Sequence, residues 1–253
     1  MLLMRVLKIG GNELNDPEFL PQLAGWVAET TGKGESIVIV HGGGSDIADM
    51  QTRVGLEPKK VDGLRITDAD SLKIAQMVLS GHTNKQIVTA LLLAGVDAVG
   101  LSGVDGRLLT AAKKTHPTVD LGLVGEIVAV RADLLLNLSK MGITAVISPI
   151  SLGKDGQAYN VNADEAASAI ARAVQADMLD FISNVPGVLQ DGQVVPQLTA
   201  AETETLIAQG VINGGMVPKV QGALTAVSQG VSRARIVNLA GLLHAGGTVF
   251  SGQ

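Results

Sequence analysis

Cysteine is absent from this chain of 253 residues, which excludes disulfide bonds and any site that needs a thiolate. Aromatic residues make up only 2%, too few for the stacking surfaces that bind single-stranded nucleic acid. Basic residues are in the minority, with 19 Lys and Arg against 24 Asp and Glu. The net charge of −5 provides no overall positive field to attract nucleic acid or an anionic membrane.

Long hydrophobic runs are also missing. The longest uncharged tail, residues 236–253, is interrupted by Asn238, His244 and four glycines, so it does not suit a membrane span. The first six residues lack the charged-then-apolar layout of a signal peptide. We therefore expect a cytoplasmic protein that binds neither nucleic acid nor membranes.

Short, β-branched apolar runs alternate with longer segments of helical pattern. Strands are predicted at 4–9, 36–41, 97–101, 143–148, 178–183 and 234–237. Helices are predicted at 17–31, 45–53, 68–93, 131–141, 162–175, 200–209 and 218–229. Continuously apolar strands are typical of a parallel sheet that is buried on both faces. The pattern predicts an α/β fold, a three-layer αβα sandwich around a mainly parallel sheet.

Sequence patterns typical of β-hairpins also occur among these strands and helices. Asp155-Gly156 and Asp191-Gly192 each stand between apolar stretches, and residues 107–115 and 121–130 suit a β-ribbon. No Pro- or Ser-rich linker divides the chain. We expect one domain over residues 1–253, with a break near 153–160 between an N-terminal lobe (about 1–152) and a C-terminal lobe (about 153–253).

Two glycine-rich loops follow predicted strands. Lys8 with Gly10 and Gly11 ends the first strand, where a lysine is costly unless its ammonium group meets solvent or an anion. The loop at 41–46, His-Gly-Gly-Gly-Ser-Asp, precedes a helix, where free N–H groups form an anion site. It matches a dinucleotide fingerprint only loosely, because Ile47 occupies the third glycine position. A turn without a ligand is the alternative at both places.

Two further positions adjoin predicted element ends. Arg65 precedes a helix that Thr67 or Asp68 can cap, and its forked guanidinium suits a carboxylate, although a surface arginine is the simpler explanation. The turn at 183–189 follows a buried strand, at the end where ligands bind in α/β proteins.

The segment 159–165 approaches a helix in extended form. Asn162 and Glu165 are spaced as a capping box, and Asp164 falls in the first helical turn. These placements have a structural explanation of their own. Asn160 alternates with Asn162, so its amide is free to face a ligand.

Lys219 has no structural explanation of this kind. Pro218 suits the first position of a helix, which places Lys219 in the first turn. A cation there opposes the helix dipole at a cost of roughly 0.3–1 kcal/mol. A bound polyphosphate would turn this cost into a stabilising contribution, so the position of Lys219 indicates a functional role.

These candidates together comprise two lysines, two glycine loops, one aspartate and one arginine. The four histidines lack metal-ligand spacing, no Ser-His-Asp arrangement is evident, and we expect no metal site built by the protein itself. Phosphoryl transfer needs cations and N–H groups around the transferring phosphate and little covalent chemistry from the protein.

The order of the motifs resembles the amino acid kinase family over nearly the whole chain. The motifs are Lys8-Ile-Gly-Gly, His41-Gly-Gly-Gly, Gly63-Leu-Arg-Ile-Thr-Asp, Asn84-Lys85, Asn160-Val-Asn-Ala-Asp, Ser183-Asn-Val-Pro-Gly-Val and Gly215-Met-Val-Pro-Lys. The third and fifth motifs are similar to the branch of the family that phosphorylates N-acetyl-L-glutamate in arginine biosynthesis. The resemblance implies ATP and Mg²⁺ as cofactors and an acyl phosphate as product.

The resemblance also implies roles for individual residues. The catalytic group would be Lys8, Lys219 and Asp164, with the aspartate orienting both lysines. The substrate-binding group would be Gly43, Gly44, Arg65 and Asn160. The nucleotide-binding group would be Gly10, Gly11, Ser183, Asn184, Ile212, Asn213 and Gly214. The N-terminal lobe would hold the amino-acid substrate and form a homodimer, and the C-terminal lobe would hold ATP.

The chain departs from the family pattern at both ends. Arginine-inhibited members carry an extra N-terminal helix, whereas this sequence begins almost on its first strand, so we expect a dimer without arginine feedback. After residue 237 only 238–253 remain, which leaves the edge of the nucleotide lobe undefined.

Three other functions remain open from the sequence. A sister kinase acting on aminoadipate or glutamate attached to a carrier protein would need a basic rim, to which Lys59, Lys60, Lys113 and Lys114 could belong. A non-catalytic nucleotide-binding protein would not need both lysines and the aspartate. A dehydrogenase is disfavoured by the fingerprint mismatch.

Overall fold

A computed structural model describes residues 3–252. Met1 and Leu2, from the stretch expected not to form a signal peptide, and Gln253 lie outside the described residues. The helices are α1 Phe19–Gly32, α2 Gly44–Arg53, α3 Ala69–Gln76, α4 Asn84–Leu93, α5 Ala132–Lys140, α6 Ala163–Ala173, α7 Ala200–Ala208, α8 Met216–Ser228 and α9 Leu239–Leu243. The strands are β1 Met4–Ile9, β2 Ser36–His41, β3 Lys60–Val61, β4 Leu64–Arg65, β5 Ala98–Ser102, β6 Leu109–Lys113, β7 Val124–Val130, β8 Thr144–Ser148, β9 Ile150–Gly153, β10 Ala158–Val161, β11 Met178–Ile182, β12 Leu189–Gln190, β13 Gln193–Val194, β14 Gln197–Leu198, β15 Arg233–Val237 and β16 Thr248–Ser251.

The main sheet has eight strands in the order β14-β16-β15-β11-β1-β2-β8-β5. Its neighbouring strands run parallel except β15 and β16, which are antiparallel. Alternate residues of β1 enter two different apolar cores: Val6 packs with α6 and α8 on one face, and Leu7 packs with α1 and α4 on the other. The predicted three-layer α/β fold is confirmed. The tail beyond residue 237 forms α9 and β16.

The predicted hairpins are also present. β6 pairs with β7 and β9 pairs with β10, both antiparallel, and these four strands close into a small barrel beside the main sheet. At the turn between β12 and β13, Asp191 and Gly192 have φ values of 51° and 76°. A two-residue turn with positive φ at both positions matches the twist of the flanking strands, which is why Asp-Gly signals a hairpin.

The prediction of a single helix at 68–93 is wrong in the middle of that range. Asp68 caps α3 by accepting a hydrogen bond from Ser71 N at 2.7 Å, but a π-helical stretch, Met77–Thr83, separates α3 from α4. Directly after it lies Asn84, fully buried, which donates from Nδ2 to the Val146 carbonyl at 2.9 Å. The wider turn rotates the following residues, and this tertiary hydrogen bond supports that rotation.

The expected start of the last long helix is also wrong. α8 begins at Met216, so Pro218 occupies its third position rather than its first. Proline is tolerated there because the first four N–H groups of a helix have no partner inside the helix. Lys219 consequently stands fourth, still beside the positive end of the helix dipole.

The capping box expected at Asn162 and Glu165 forms only in half. Asn162 Oδ1 accepts from Glu165 N at 3.2 Å, but the Glu165 carboxylate accepts from Lys114 Nζ at 2.8 Å instead of turning back to the cap. The Lys114 ammonium group and the Ile127 N–H, which donates to the other carboxylate oxygen at 2.8 Å, together hold Glu165 away from the cap. A complete capping box occurs at Thr199 and Glu202.

Strand register determines where the candidate loops meet. Ile9 at the end of β1 pairs with His41 of β2 on one side and with Ile182 of β11 on the other. The chain segments that follow these three residues therefore leave the sheet at one edge. Among residues 3–252, none of the helices combines the length and apolar character needed to cross a membrane.

Candidate active site

Lys8 forms the centre of the site. Its side chain, 17% exposed, extends from the penultimate residue of β1, and Nζ lies 2.8 Å from Asp164 Oδ1. Asp164 stands in the first turn of α6, where the helix dipole favours a carboxylate. The ion pair therefore connects the main sheet to the start of α6.

Lys219 approaches from α8 on the other side. Its Nζ donates to Ser183 Oγ and, at 3.2 Å, to Asn184 Oδ1. Asp164 was expected to orient both lysines, but in this structure it bonds to Lys8, whereas the loop after β11 orients Lys219.

Two adjoining cavities meet at this ion pair. The first, about 350 Å³, is bordered by Ser183 and Lys219, and the second, about 240 Å³, is bordered by Arg65 and Asn160. The residues that line both cavities are Lys8, Gly10, Gly11, Gly44, Lys60 and Asp164. The shared wall thus contains two lysines, one carboxylate and both predicted glycine loops.

The two glycine loops touch each other through their backbones. Gly42 N donates to Ile9 O at 2.9 Å, and a Cβ added to Gly11 would lie 2.9 Å from Gly43 Cα. Any side chain at Gly11 would force the loops apart. Their close packing lets backbone N–H groups from two strand ends face one small volume.

Arg65 is a buried cation at the second cavity. It is 8% exposed, its Nη2 donates to Gly44 O at 2.8 Å, and its Nη1 donates to Gln51 Oε1. Burial lowers the pKa of the guanidinium from its ordinary value. Within the described chain both partners are neutral oxygens, and no carboxylate forms an ion pair with Arg65. Such a charge is costly unless a ligand supplies the anion.

Asn160 borders the same cavity but is not entirely free. Its Nδ2 donates to Thr67 Oγ1 at 3.3 Å, and the side chain lines the cavity, where a ligand could reach its amide. The interaction holds the amide at the cavity wall, beside Val124 and Val161.

Four predicted nucleotide residues lie outside the lining of the first cavity. Asn184 contacts the site through Lys219 and Ser183, Ile212 is 2% exposed, and Asn213 donates to Gly210 O at 2.8 Å. Gly214 is exposed in the loop before α8, with a φ of 52°. Of the predicted nucleotide-binding residues, Gly10, Gly11 and Ser183 therefore line the first cavity together, and the other four lie outside it.

Gln51, the polar partner behind Arg65, is a functional candidate that was not predicted from the sequence. Gln51 and Ile47 are the buried residues of α2, four positions apart on one helix face. A glutamine on the inward-facing side of an amphipathic helix is the signal that could have identified it.

Comparison with known proteins places this architecture in a class. Residues 4–238 match the model of the amino acid kinase family, and the chain belongs to that family. The curated relatives include an acetylglutamate kinase of Roseiflexus castenholzii, 51% identical over 241 residues, covering 95% of this chain and 92% of the relative. Another, the acetylglutamate kinase of Chloroflexus aurantiacus, is 51% identical over 252 residues, covering 99% and 98%.

Solved structures share the fold across the full chain. A crystal structure from Streptococcus mutans UA159 matches with a TM-score of 0.81 and 27% identity, covering 99% of both chains. A carbamate kinase of Giardia matches with a TM-score of 0.71 at 14% identity, covering 100% of this chain and 99% of that one. The second likeness concerns the fold alone.

Proposed function

We propose that this chain transfers the γ-phosphoryl group of ATP to the γ-carboxylate of N-acetyl-L-glutamate, a step of arginine biosynthesis. The products are N-acetyl-L-glutamyl 5-phosphate and ADP. The observation that carries the proposal is the pair of cavities that share Lys8, Asp164 and both glycine loops. A transfer between two substrates needs two sites with one common, cation-rich wall.

The lining residues favour a different substrate for each cavity. The first cavity adds residues 181–183 together with Pro218, Lys219 and Gly222, which suit ATP. The second adds Arg65 and Asn160, which suit the α-carboxylate and the acetylamino group. This division supports the proposed N-terminal substrate lobe (about 1–152) and C-terminal nucleotide lobe (about 153–253), with residues 160–164 of the C-terminal part completing the substrate cavity.

The proposed chemistry needs no covalent intermediate with the protein. An oxygen of the substrate γ-carboxylate attacks the γ-phosphorus, the bond from that phosphorus to the β–γ bridging oxygen breaks, and ADP leaves. Lys8 and Lys219 stabilise the charge on the transferring group from its two sides. Asp164 holds Lys8 in place, and the N–H groups of Gly11 and Gly44 donate to the phosphoryl oxygens.

Mg²⁺ would enter bound to ATP. It keeps several waters and takes one or two carboxylates together with phosphate oxygens. The first cavity offers two carboxylates, Asp164 and Glu13, which fits an ion carried mainly by the nucleotide. Within residues 3–252 no group of three or more His, Asp or Glu side chains is arranged to hold a metal by itself.

The test is ADP release with Mg-ATP, coupled to hydroxylamine trapping of the acyl phosphate. N-Acetylglutamate, glutamate and N-acetylaminoadipate are compared. We expect hydroxamate with N-acetylglutamate, and a loss of at least about 100-fold in kcat for Lys8→Ala and Lys219→Ala. Lys73→Ala is the matched control, because Lys73 is exposed and pairs with Asp70 on α3. Hydroxamate from none of the three acids would refute the proposal.

The carrier-protein alternative is less well supported by the surface. Three of the four lysines expected to form a basic rim are in ion pairs: Lys59 with Glu57, Lys113 with Asp120 and Lys114 with Glu165. The homodimer stays a prediction, which light scattering after size-exclusion chromatography tests.

A further inference from the structure

Behind the substrate cavity lies a buried relay of polar side chains that ends on Arg65. Gln51 is 1% exposed and does not line the cavity; its Oε1 accepts from Arg65 Nη1, and its Nε2 donates to Ser71 Oγ at 2.9 Å. Ser71 in turn donates its backbone N–H to Asp68 Oδ1 at 2.7 Å. The relay joins α2, α3 and the strand that carries Arg65.

The relay fixes which end of the glutamine amide faces Arg65. The guanidinium of Arg65 has only hydrogen-bond donors, so the group that Gln51 turns towards it must be the amide oxygen. The NH₂ group of Gln51 is then left to donate to Ser71 Oγ.

A neutral acceptor at this position has an electrostatic consequence. A glutamate would reach the same place and form a buried ion pair with Arg65, neutralising it in the free enzyme. An amide oxygen orients the guanidinium and leaves its whole positive charge directed at the cavity. The other charged groups on the cavity wall are Lys8 with its partner Asp164, and Lys60.

We propose that Gln51 is a positioning residue that sets specificity: its amide oxygen holds Arg65 in place without neutralising it and so reserves that charge for a second carboxylate on the substrate. This rests on the proposed function, in which the acceptor is a dicarboxylate. Gln51 acts through Arg65 and does not touch substrate.

Gln51→Glu is the decisive variant. We expect the KM for N-acetyl-L-glutamate to rise roughly 10- to 100-fold, about 1.4–2.8 kcal/mol, with the KM for ATP within about twofold of wild type. The preference in kcat/KM for this acid over its α-carboxamide analogue should fall at least about tenfold, since the carboxamide gains little from an uncompensated charge. The melting temperature without ligands should not fall.

Two matched variants separate charge from packing. Gln51→Met keeps the volume and leaves Arg65 charged, so it should raise the KM for the acid while keeping the preference over the carboxamide within about threefold of wild type. Gln76→Glu makes the same chemical change on the exposed surface of α3. It should change neither the KM for the acid nor the preference over the carboxamide. A purely structural role for Gln51 would instead lower stability in both position-51 variants and leave the preference unaltered.

The outcomes distinguish this inference from the proposed function. If wild-type enzyme phosphorylates neither compound, the proposed function fails. If wild type uses the acid and folded Gln51→Glu keeps the wild-type preference, the role of Gln51 is refuted. Should Gln51→Glu not fold, Ser71→Ala removes the acceptor that holds the NH₂ group of Gln51: a rise in acid KM of about three- to tenfold supports the relay, and an unchanged KM overturns it.

Discussion

His41 should make the stability of this protein fall in mild acid. The imidazole is fully buried at the end of β2, with Nδ1 3.0 Å from the Gly42 carbonyl oxygen and Nε2 3.2 Å from Asn84 Nδ2. In the neutral form Nδ1 donates to Gly42 and Nε2 accepts from Asn84. A protonated ring would point a second N–H at the Asn84 amide group, with no acceptor there.

Burial lowers the pKa of His41 from 6.5 to about 4. The folded state therefore binds this proton less readily than the unfolded chain. The stabilisation is fully present above pH 6.5 and is lost as the pH falls from 6.5 towards 4. Between about pH 7.5 and pH 5 the linkage relation gives a loss of about 2 kcal/mol from this one residue.

The assay is urea unfolding of wild type and His41→Gln at about pH 7.5 and pH 5. Glutamine does not titrate, so other ionising groups cancel when the change in unfolding free energy with pH is compared between the two proteins. We expect wild type to lose about 2 kcal/mol more than the variant over this interval. Equal losses in both proteins would refute the neutral, buried assignment of His41.

Three further substitutions test one contact at the site and two elsewhere in the fold. Gly11→Ala should lower kcat at least about tenfold, because its Cβ would lie 2.9 Å from Gly43 Cα, whereas Gly25→Ala in α1 meets nothing within 4 Å and should keep full activity. Asp180→Asn should lower the unfolding free energy by about 3–5 kcal/mol in urea titrations, since this buried carboxylate bonds to two arginines, and a loss below about 1 kcal/mol would contradict that. Thr199→Ala should lower the unfolding free energy by about 1 kcal/mol in the same titrations through loss of its capping box. An unchanged unfolding free energy would show that the cap does not stabilise the protein.

The layered fold could be predicted because its signals are local. β2 and β11 are buried at every position and apolar apart from Ser36, His41 and Asp180, as expected for central parallel strands. The meeting of the glycine loops also follows from the sequence, because neighbouring parallel strands deliver their carboxyl ends to one edge. The hairpin at 191–192 could be predicted because Asp and Gly tolerate the positive φ that its two-residue turn requires.

The features that the sequence could not show depend on contacts between distant residues. Arg5 and Asp180 are 175 positions apart, and Gln51 and Ser71 are 20 apart on different helices. Helical periodicity can place Gln51 on the inward face of α2 with Ile47, but it does not reveal that Arg65 is the partner of Gln51. The π-helical turn before α4 is likewise a response to tertiary hydrogen bonds rather than to local propensity.

The site is best recognised by three cations placed against local preference. Lys8 stands one residue before the end of a buried strand, Lys219 stands near the positive end of a helix dipole, and Arg65 is buried with neutral partners. The ion pair with Asp164 offsets part of the cost at Lys8, whereas Lys219 and Arg65 have only neutral partners, so folding alone does not account for these two placements. All three border the same pair of connected cavities, and anions bound there would reverse every one of these costs together. A triphosphate and a dicarboxylate meeting at Lys8 satisfy that requirement, which is why the geometry favours phosphoryl transfer between them over binding of a nucleotide alone.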